Sequence, residues 1–144
     1  MEYRPVERRT KSIDLAPGEK LVIRTWRWDE QTLLKDAEDD FYVKTAKGRP
    51  PSYYSISTFA LTRAQGETVD ELTDRLRLCA AEHRRFKWYC LVTEPELAGA
   101  GLQLILSEPP DDHHDVPLGA NEIDQELMAK LVMLFGDEKI RMRT

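Results

Sequence analysis

The sequence is poor in cysteine and has no long apolar run. Its 144 residues include two cysteines, too few for a disulfide framework and typical of a reducing compartment. The longest uninterrupted apolar stretches, 88–92 and 131–135, contain five residues each, whereas a membrane helix needs about 20. The first residues, MEYRP, are charged and lack the apolar segment of a secretion signal. We therefore expect a cytoplasmic protein with no membrane partner.

The short motifs of common enzyme classes are also missing. There is no glycine-rich phosphate loop, no HExxH, no GxSxG and no CxxC. Gly99 and Gly101 precede a predicted strand, whereas a dinucleotide site needs its glycines between a strand and a helix. We expect no cofactor and no catalytic residue, and the pattern favours a non-catalytic protein over an enzyme.

Acidic residues are concentrated in two segments of a chain whose net charge is −5. Residues 29–40 contain six acidic residues and one lysine, and residues 108–115 contain four acidic residues. The sequence pI of about 5.3 argues against a nucleic-acid partner, because phosphate backbones bind concentrated positive charge. The first acidic segment predicts either a short helix that begins at Asp29 or a solvated loop.

Strands are predicted where β-branched and aromatic residues cluster between turn residues. Residues 13–15 and 20–28 form a predicted strand pair across a type II turn at 16–19. Segment 52–62 lacks a strongly polar face, which predicts a central strand or a strand covered on both sides. The other predicted strands are 41–45, 88–93 and 102–107, with a charged edge strand or a simple tail at 139–144.

Two helices are predicted. Thr68 and Glu71 have the spacing of a capping box, and apolar residues then recur every three or four positions, so one helix is predicted over 68–85. Asn121 is the predicted N-cap of the second helix, which ends near Gly136.

The order of these elements, roughly ββ-β-β-α-β-β-α, predicts an α+β fold. We expect a mainly antiparallel sheet with two helices packed on it. A chain of this length predicts one globular domain over 1–144. A frayed N-terminal arm is expected at about 1–10 and a short C-terminal tail or edge strand at 137–144.

The second predicted helix is apolar over an arc of about 180°, which is wider than a helix on a sheet needs. The excess predicts either deeper burial within its own domain or a surface for a partner, since methionine adapts to varied contacts. The residues predicted to bind a partner or a second copy of the chain are Met128, Val132, Met133 and Phe135.

Two tryptophans and an arginine fall in one predicted strand. Trp26 and Trp28 share a strand face with Arg24, and these residue types are frequent in protein-interface hot spots. The same residue types stack on nucleobases in nucleic-acid-binding proteins. A third interpretation is a sheet face that a helix covers. The residues predicted to contact a ligand or peptide are Arg24, Trp26, Trp28, Tyr53 and Tyr54.

Two groups of residues have the side chains of a metal or nucleophile site. His113 and His114 are flanked by aspartates, but neighbours in a loop diverge, so we interpret 108–115 as a hydrophilic connector without a metal. Cys79 and His83 are one helical turn apart, the spacing of a thiol and an activating imidazole. Because both lie on the apolar stripe of the first helix, we expect both in the core.

Two hypotheses of function follow. The first is a non-catalytic cytoplasmic protein-binding module, such as an adaptor, a small chaperone or an immunity or antitoxin-type protein. Its partner would be another protein, or a second copy in a homodimer. The alternative is a small enzyme or ligand-binding domain with an aromatic-lined pocket.

Overall fold

Six strands and four helices form the described part of the chain. The computed structural model describes residues 12–48, 53–136 and 139–142. The strands are β1 (Lys20–Thr25), β2 (Tyr54–Thr62), β3 (Trp88–Thr93), β4 (Ile105–Leu106), β5 (His113–Gly119) and β6 (Ile140–Arg141). The helices are α1 (Glu30–Ala46), α2 (Val69–Ala81), α3 (Glu94–Gly99) and α4 (Gln125–Phe135). The predicted frayed arm lies outside the described residues.

These strands belong to one sheet with the order β4-β5-β2-β1-β3-β6. Every neighbouring pair is antiparallel. β2 lies between β5 and β1, so the prediction of a central strand at 52–62 is confirmed. The predicted α+β fold with a mainly antiparallel sheet is confirmed as well, although it has four helices rather than two.

The side chains of successive residues in the central strands are buried on opposite faces of the sheet. Val22 belongs to a core layer that α1, α3 and α4 cover, whereas Leu21 and Ile23 belong to a second layer that α2 covers. Each Å² of apolar surface that folding removes from water contributes about 25 cal/mol to the stability of the folded chain. Strands buried on both faces contain continuous apolar runs, and residues 21–23 of β1 form such a run.

α1 covers the segment 29–40, for which the sequence predicts either a short helix or a loop, and continues through the predicted strand 41–45. Asp29 is the N-cap, as the helical alternative predicts, and its carboxylate accepts hydrogen bonds from Thr32. Leu33 and Ala37 are fully buried against the sheet. The predicted strand 41–45 is wrong because these residues continue α1, where Phe41 stacks on Tyr54 of β2 at 4.1 Å between ring centroids.

The other helices differ from prediction mainly at their ends. The capping box of Thr68 and Glu71 is present, but α2 ends at Ala81, earlier than predicted. α4 begins after Asp124 rather than Asn121. α3 is an additional helix, in a segment where the sequence analysis predicts none. No helix within the described ranges combines the length and apolarity needed to cross a membrane.

Three strand predictions are corrected. Residues 13–15 form no strand, and β1 pairs instead with β2 and β3. β1 ends at Thr25, so Trp26 and Trp28 follow the strand. The predicted strand 102–107 is reduced to β4, and the predicted connector 108–115 runs into β5 at His113. The predicted edge strand near the C-terminus is present as β6, paired with β3.

Candidate functional site

Arg24 is an interior residue that joins β1 to α1. It is 4% exposed, and its guanidinium donates to Asp36 Oδ2 at 2.6 Å. It also donates to the carbonyls of Ser57 and Arg27. Burial lowers the pKa of Arg24, and the hydrogen bond and charge of Asp36 oppose that shift. Because its donors are engaged within the chain, Arg24 positions the backbone after β1.

Trp26 forms the centre of an exposed aromatic and cationic surface at the end of β1. Its backbone N–H donates to the Trp88 carbonyl, and its side chain is 37% exposed. The Lys139 ammonium lies 4.3 Å from the Trp26 ring centroid and 4.8 Å from that of Trp88. The Arg27 guanidinium lies 5.3 Å from the Trp26 ring. We call Trp26, Arg27, Trp88 and Lys139 the Trp26 patch.

Positive charge continues beyond the Trp26 patch along β6. Arg141 is directly opposite Trp88 in the β3–β6 pair, so the two side chains leave the same face of the sheet. The Arg141 side chain is exposed. Arg27 also pairs with Asp29 at 3.2 Å, and its side chain stays 58% exposed. The patch is therefore locally cationic on a chain whose net charge is negative.

Trp28 supports the Trp26 patch from beneath. Its ring is 3% exposed, and its indole N–H donates to the Gly136 carbonyl at 2.9 Å. The Trp26 and Trp28 rings meet edge to face, with centroids 4.9 Å apart. This contact fixes the Trp26 ring against the core, so a partner meets a side chain that is already ordered.

The two predicted tyrosines lie in other surroundings. Tyr54 stacks on Phe41 under α1, while the Tyr53 hydroxyl points to Asp115 at 3.4 Å. Trp26 is the exposed aromatic residue among the five predicted to contact a ligand or peptide. Arg24 and Trp28 are buried, and the two tyrosines are partly buried.

The wide apolar arc of α4 is mostly explained by burial. Met128 and Phe135 are 1% and 4% exposed and belong to the core layer that contains Val22. Val132 packs against the same layer. The prediction that Met128 and Phe135 present a partner surface is corrected, because α4 contacts α1 and α3 as well as β3 and buries both side chains. Met133, 80% exposed, is the member of the predicted set that remains at the surface.

His113 and His114 lie on opposite faces of β5, because they are consecutive in a strand. Nε2 of buried His114 accepts from the Lys20 ammonium at 2.8 Å, and its Nδ1 donates to the Asp112 carbonyl. Burial lowers the pKa of His114, which favours this neutral form. The two imidazoles therefore cannot converge on one metal ion. No group of three or more His, Cys, Asp or Glu side chains within 12–48, 53–136 and 139–142 is arranged to hold a metal.

Cys79 and His83 also diverge. Cys79 Sγ donates to Asp112 Oδ2 at 3.7 Å, and burial together with the Asp112 charge raises the Cys79 pKa to about 11. His83 lies beyond the end of α2, is exposed and stacks on Phe59 at 5.2 Å between centroids. The prediction of a core position is therefore wrong for His83. The raised pKa is the opposite of what an activated nucleophile needs.

Sequence reasoning missed Asp115, which was assigned to the hydrophilic connector. Its side chain is 4% exposed in β5. One pattern could have shown it: the apolar residues Val116 and Leu118 are two positions apart, which is the period of a strand. The doubled aspartates and histidines before them obscured that period.

Comparisons with known proteins identify no family. No protein-family model matches the chain, and neither the curated proteins nor the solved structures give a significant match.

Proposed function

We propose that the chain is a non-catalytic protein-binding module whose Trp26 patch docks an acidic segment of a partner protein. The observation that carries this proposal is the exposed, pre-ordered Trp26 ring flanked by the Lys139 and Arg27 cations. Tryptophan and arginine are the residues most enriched in interface hot spots. Adaptors, small chaperones and immunity proteins all act through contacts of this kind.

The energetics of the Trp26 patch suit a protein partner. A whole tryptophan side chain covers about 150–250 Å², and Trp26 leaves 37% of its surface exposed. Covering roughly 80 Å² of ring at about 25 cal/mol per Å² would contribute about 2 kcal/mol before association costs. Binding carries little entropic cost for ordering the Trp26 side chain, because the contact with the Trp28 ring already fixes it.

Charge favours an acidic partner segment over a basic one. Lys139 and Arg27 present cations beside the ring, and Arg141 adds a third on the same side of β3. Acidic residues are concentrated chiefly on α1, whose N-cap Asp29 pairs with Arg27 while Lys139 lies over the Trp26 ring. A basic segment would meet like charges, which cost affinity and slow association.

The test measures binding of labelled acidic, neutral and basic peptides of equal length by fluorescence anisotropy. The acidic peptides should bind the wild-type chain best, and their affinity should fall as salt is raised. Trp26→Ala should weaken binding at least about tenfold, which corresponds to about 1.4 kcal/mol.

Leu78→Ala is the matched control, because Leu78 is a 65% exposed apolar residue on α2, away from the Trp26 patch. It should leave peptide affinity unchanged. Equal affinity for all three peptide classes, or equal loss in both variants, would contradict the proposal. Weakening by Met133→Ala alone would move the interface to α4, the surface predicted from the sequence.

A further inference from the structure

The edge of the sheet formed by β6 lies directly beside the Trp26 patch. β6 is the last strand in the sheet order, and no other described strand follows it. Trp88, a member of the Trp26 patch, lies opposite Arg141 in the β3–β6 pair. The Arg141 side chain is exposed. A strand at the end of a sheet presents backbone N–H and C=O groups with which another chain can pair.

The backbone groups of Arg141 point away from β3. In an antiparallel pair, positions that exchange backbone hydrogen bonds alternate with positions that do not. The Met142 N–H donates to the Lys87 carbonyl at 2.6 Å, so this position is one that does. The next position, Trp88 opposite Arg141, is therefore one that does not, and the Trp88 carbonyl accepts from the Trp26 N–H on the β1 side instead. The Arg141 N–H and carbonyl are thus directed to the open edge of the sheet.

The two faces of the sheet beside this edge differ in character. Arg141 and Trp88 share one face, because residues directly opposite each other in a sheet do so. Lys139 lies over the Trp88 ring, so this face is aromatic and cationic. Ile140 lies between Lys139 and Arg141 and faces the other way, where it is 4% exposed and belongs to the core layer that contains Leu21. A strand added at this edge meets cations on one face and apolar side chains on the other.

We propose that the acidic partner segment binds as an added antiparallel β-strand along β6, with acidic and apolar residues in alternation. This inference rests on the proposed function, because it specifies how the acidic segment binds at the Trp26 patch. The Arg141 N–H and carbonyl exchange hydrogen bonds with one partner residue, whose side chain lies on the same face as that of Arg141. The partner residues two positions away lie on this face too, and those between them lie on the face of Ile140. Acidic side chains suit the first face and apolar side chains the second.

Charge disfavours a second copy of the chain as the occupant of this edge. Pairing of two β6 strands would bring Arg141 and Lys139 of each copy onto adjoining strands, and like charges opposite each other destabilise a sheet. The acidic residues of the chain itself are concentrated on α1, which is a helix and offers no strand for pairing. A different, acidic chain therefore fits the edge better.

The first test compares two labelled peptides on the wild-type chain by fluorescence anisotropy. Glutamate and valine alternate in one peptide, and the other has the same residues arranged as an acidic block and an apolar block. The charges are equal, so tighter binding of the alternating peptide by at least about tenfold reports the strand pattern. Equal affinity of the two peptides would overturn this inference alone. A lack of binding by every acidic peptide would overturn the proposed function as well.

Backbone N-methylation of the alternating peptide tests the hydrogen bonds to β6. The methyl group removes an N–H donor and leaves the charge unchanged. Successive N–H groups of a strand point to opposite edges, and in the proposed register those of the glutamates point to β6. Methylation at the central glutamate should weaken binding at least about tenfold, whereas methylation at a neighbouring valine should leave it unchanged. Equal effects at the two positions would overturn the inference.

Two variants separate the backbone of Arg141 from its side chain. Arg141→Ala removes the charge and keeps the N–H, whereas Arg141→Pro removes both, at an edge position where proline breaks no hydrogen bond to β3. The alternating peptide should bind the proline variant at least about fivefold more weakly than the alanine variant. Equal affinity for the two folded variants would overturn the inference. Should the proline variant fail to fold, the N-methylated peptides on the wild-type chain decide.

Discussion

Removal of the Asp36 carboxylate tests how much the buried Arg24 depends on its partner. The two groups are 2.6 Å apart, with side-chain exposures of 5% for Arg24 and 46% for Asp36. Asp36→Ala leaves the guanidinium with only the Ser57 and Arg27 carbonyls as acceptors. A buried cation that loses its counter-charge destabilises the folded chain.

The expected magnitude lies between two limits. Breaking a fully buried ion pair costs about 3–5 kcal/mol, whereas a solvent-exposed pair is worth about 0–1 kcal/mol. Because water reaches nearly half of the Asp36 side chain, we expect a loss of about 1.5–2 kcal/mol. For a chain of this size that loss lowers Tm by roughly 5 °C.

Asp39→Ala is the matched control. Asp39 is in the same helix and pairs with Lys35 at 2.7 Å, but the side chains are 59% and 74% exposed. Both substitutions gain the same helix propensity from alanine, so the difference between them isolates the Arg24 contact. Thermal unfolding followed by circular dichroism should show the lower Tm for Asp36→Ala. Equal Tm values for the two variants would contradict the conclusion that the ion pair between Arg24 of β1 and Asp36 of α1 stabilises the fold.

Three further predictions concern single residues. The Arg75 hydrogen bond lowers the Glu67 pKa from 4.5 to about 2, so the pair stabilises the fold above about pH 4.5 and this stabilisation is lost as the pH falls toward 2. Glu67→Gln should therefore flatten the fall of Tm over that pH window, and an unchanged acid profile would contradict this. Cys79, with its pKa raised to about 11, should react with iodoacetamide at neutral pH about a hundredfold more slowly than free cysteine. Peptide mapping of the alkylated native protein checks this, and rapid labelling of Cys79 would show that its thiol is not suppressed. Asp29→Ala removes the N-cap of α1 and should lower the free energy of unfolding by about 1 kcal/mol in denaturant titrations. An unchanged denaturation midpoint would contradict this prediction.

The fold class could be predicted because its evidence is local in the sequence. The capping box of Thr68 and Glu71 starts α2 as predicted, and the apolar runs of β2 and β3 predict buried strands. A second capping box, formed by Thr93 and Glu96, starts α3, and its spacing is visible in the sequence. Local hydrogen-bonding patterns therefore predict more of this fold than propensity alone.

The start of α1 at Asp29 was one of two predicted alternatives, but its continuation through residues 41–45 was not predicted because distant contacts stabilise that part of the helix. Residues 41–45 have strand propensity, yet Phe41 packs on Tyr54 of β2 within a helix. The many acidic residues of α1 are partly neutralised by Arg24 from β1 and by lysines one turn away. The sequence pattern of residues 29–46 shows neither the ion pair with Arg24 nor the ring contact with Tyr54.

The candidate site was predictable only in part. Trp26 was identified by its residue type, but its contact with Lys139 joins residues far apart in the chain. The pairing of β3 with β6 brings Trp88 into the same surface. Met128 and Phe135 were assigned to a partner surface because the sequence does not show that α1 and α3 also pack on α4.

The most direct test of the Trp26 patch uses the indole N–H resonances of the chain during titration with an acidic peptide. Trp26 and Trp88 flank Lys139, whereas the Trp28 indole is buried and bonded to Gly136. We predict saturable shifts of the Trp26 and Trp88 indoles and of the Arg141 amide, with a much smaller shift of the Trp28 indole. Saturable binding that leaves the Trp26 indole unmoved would contradict the proposed interface.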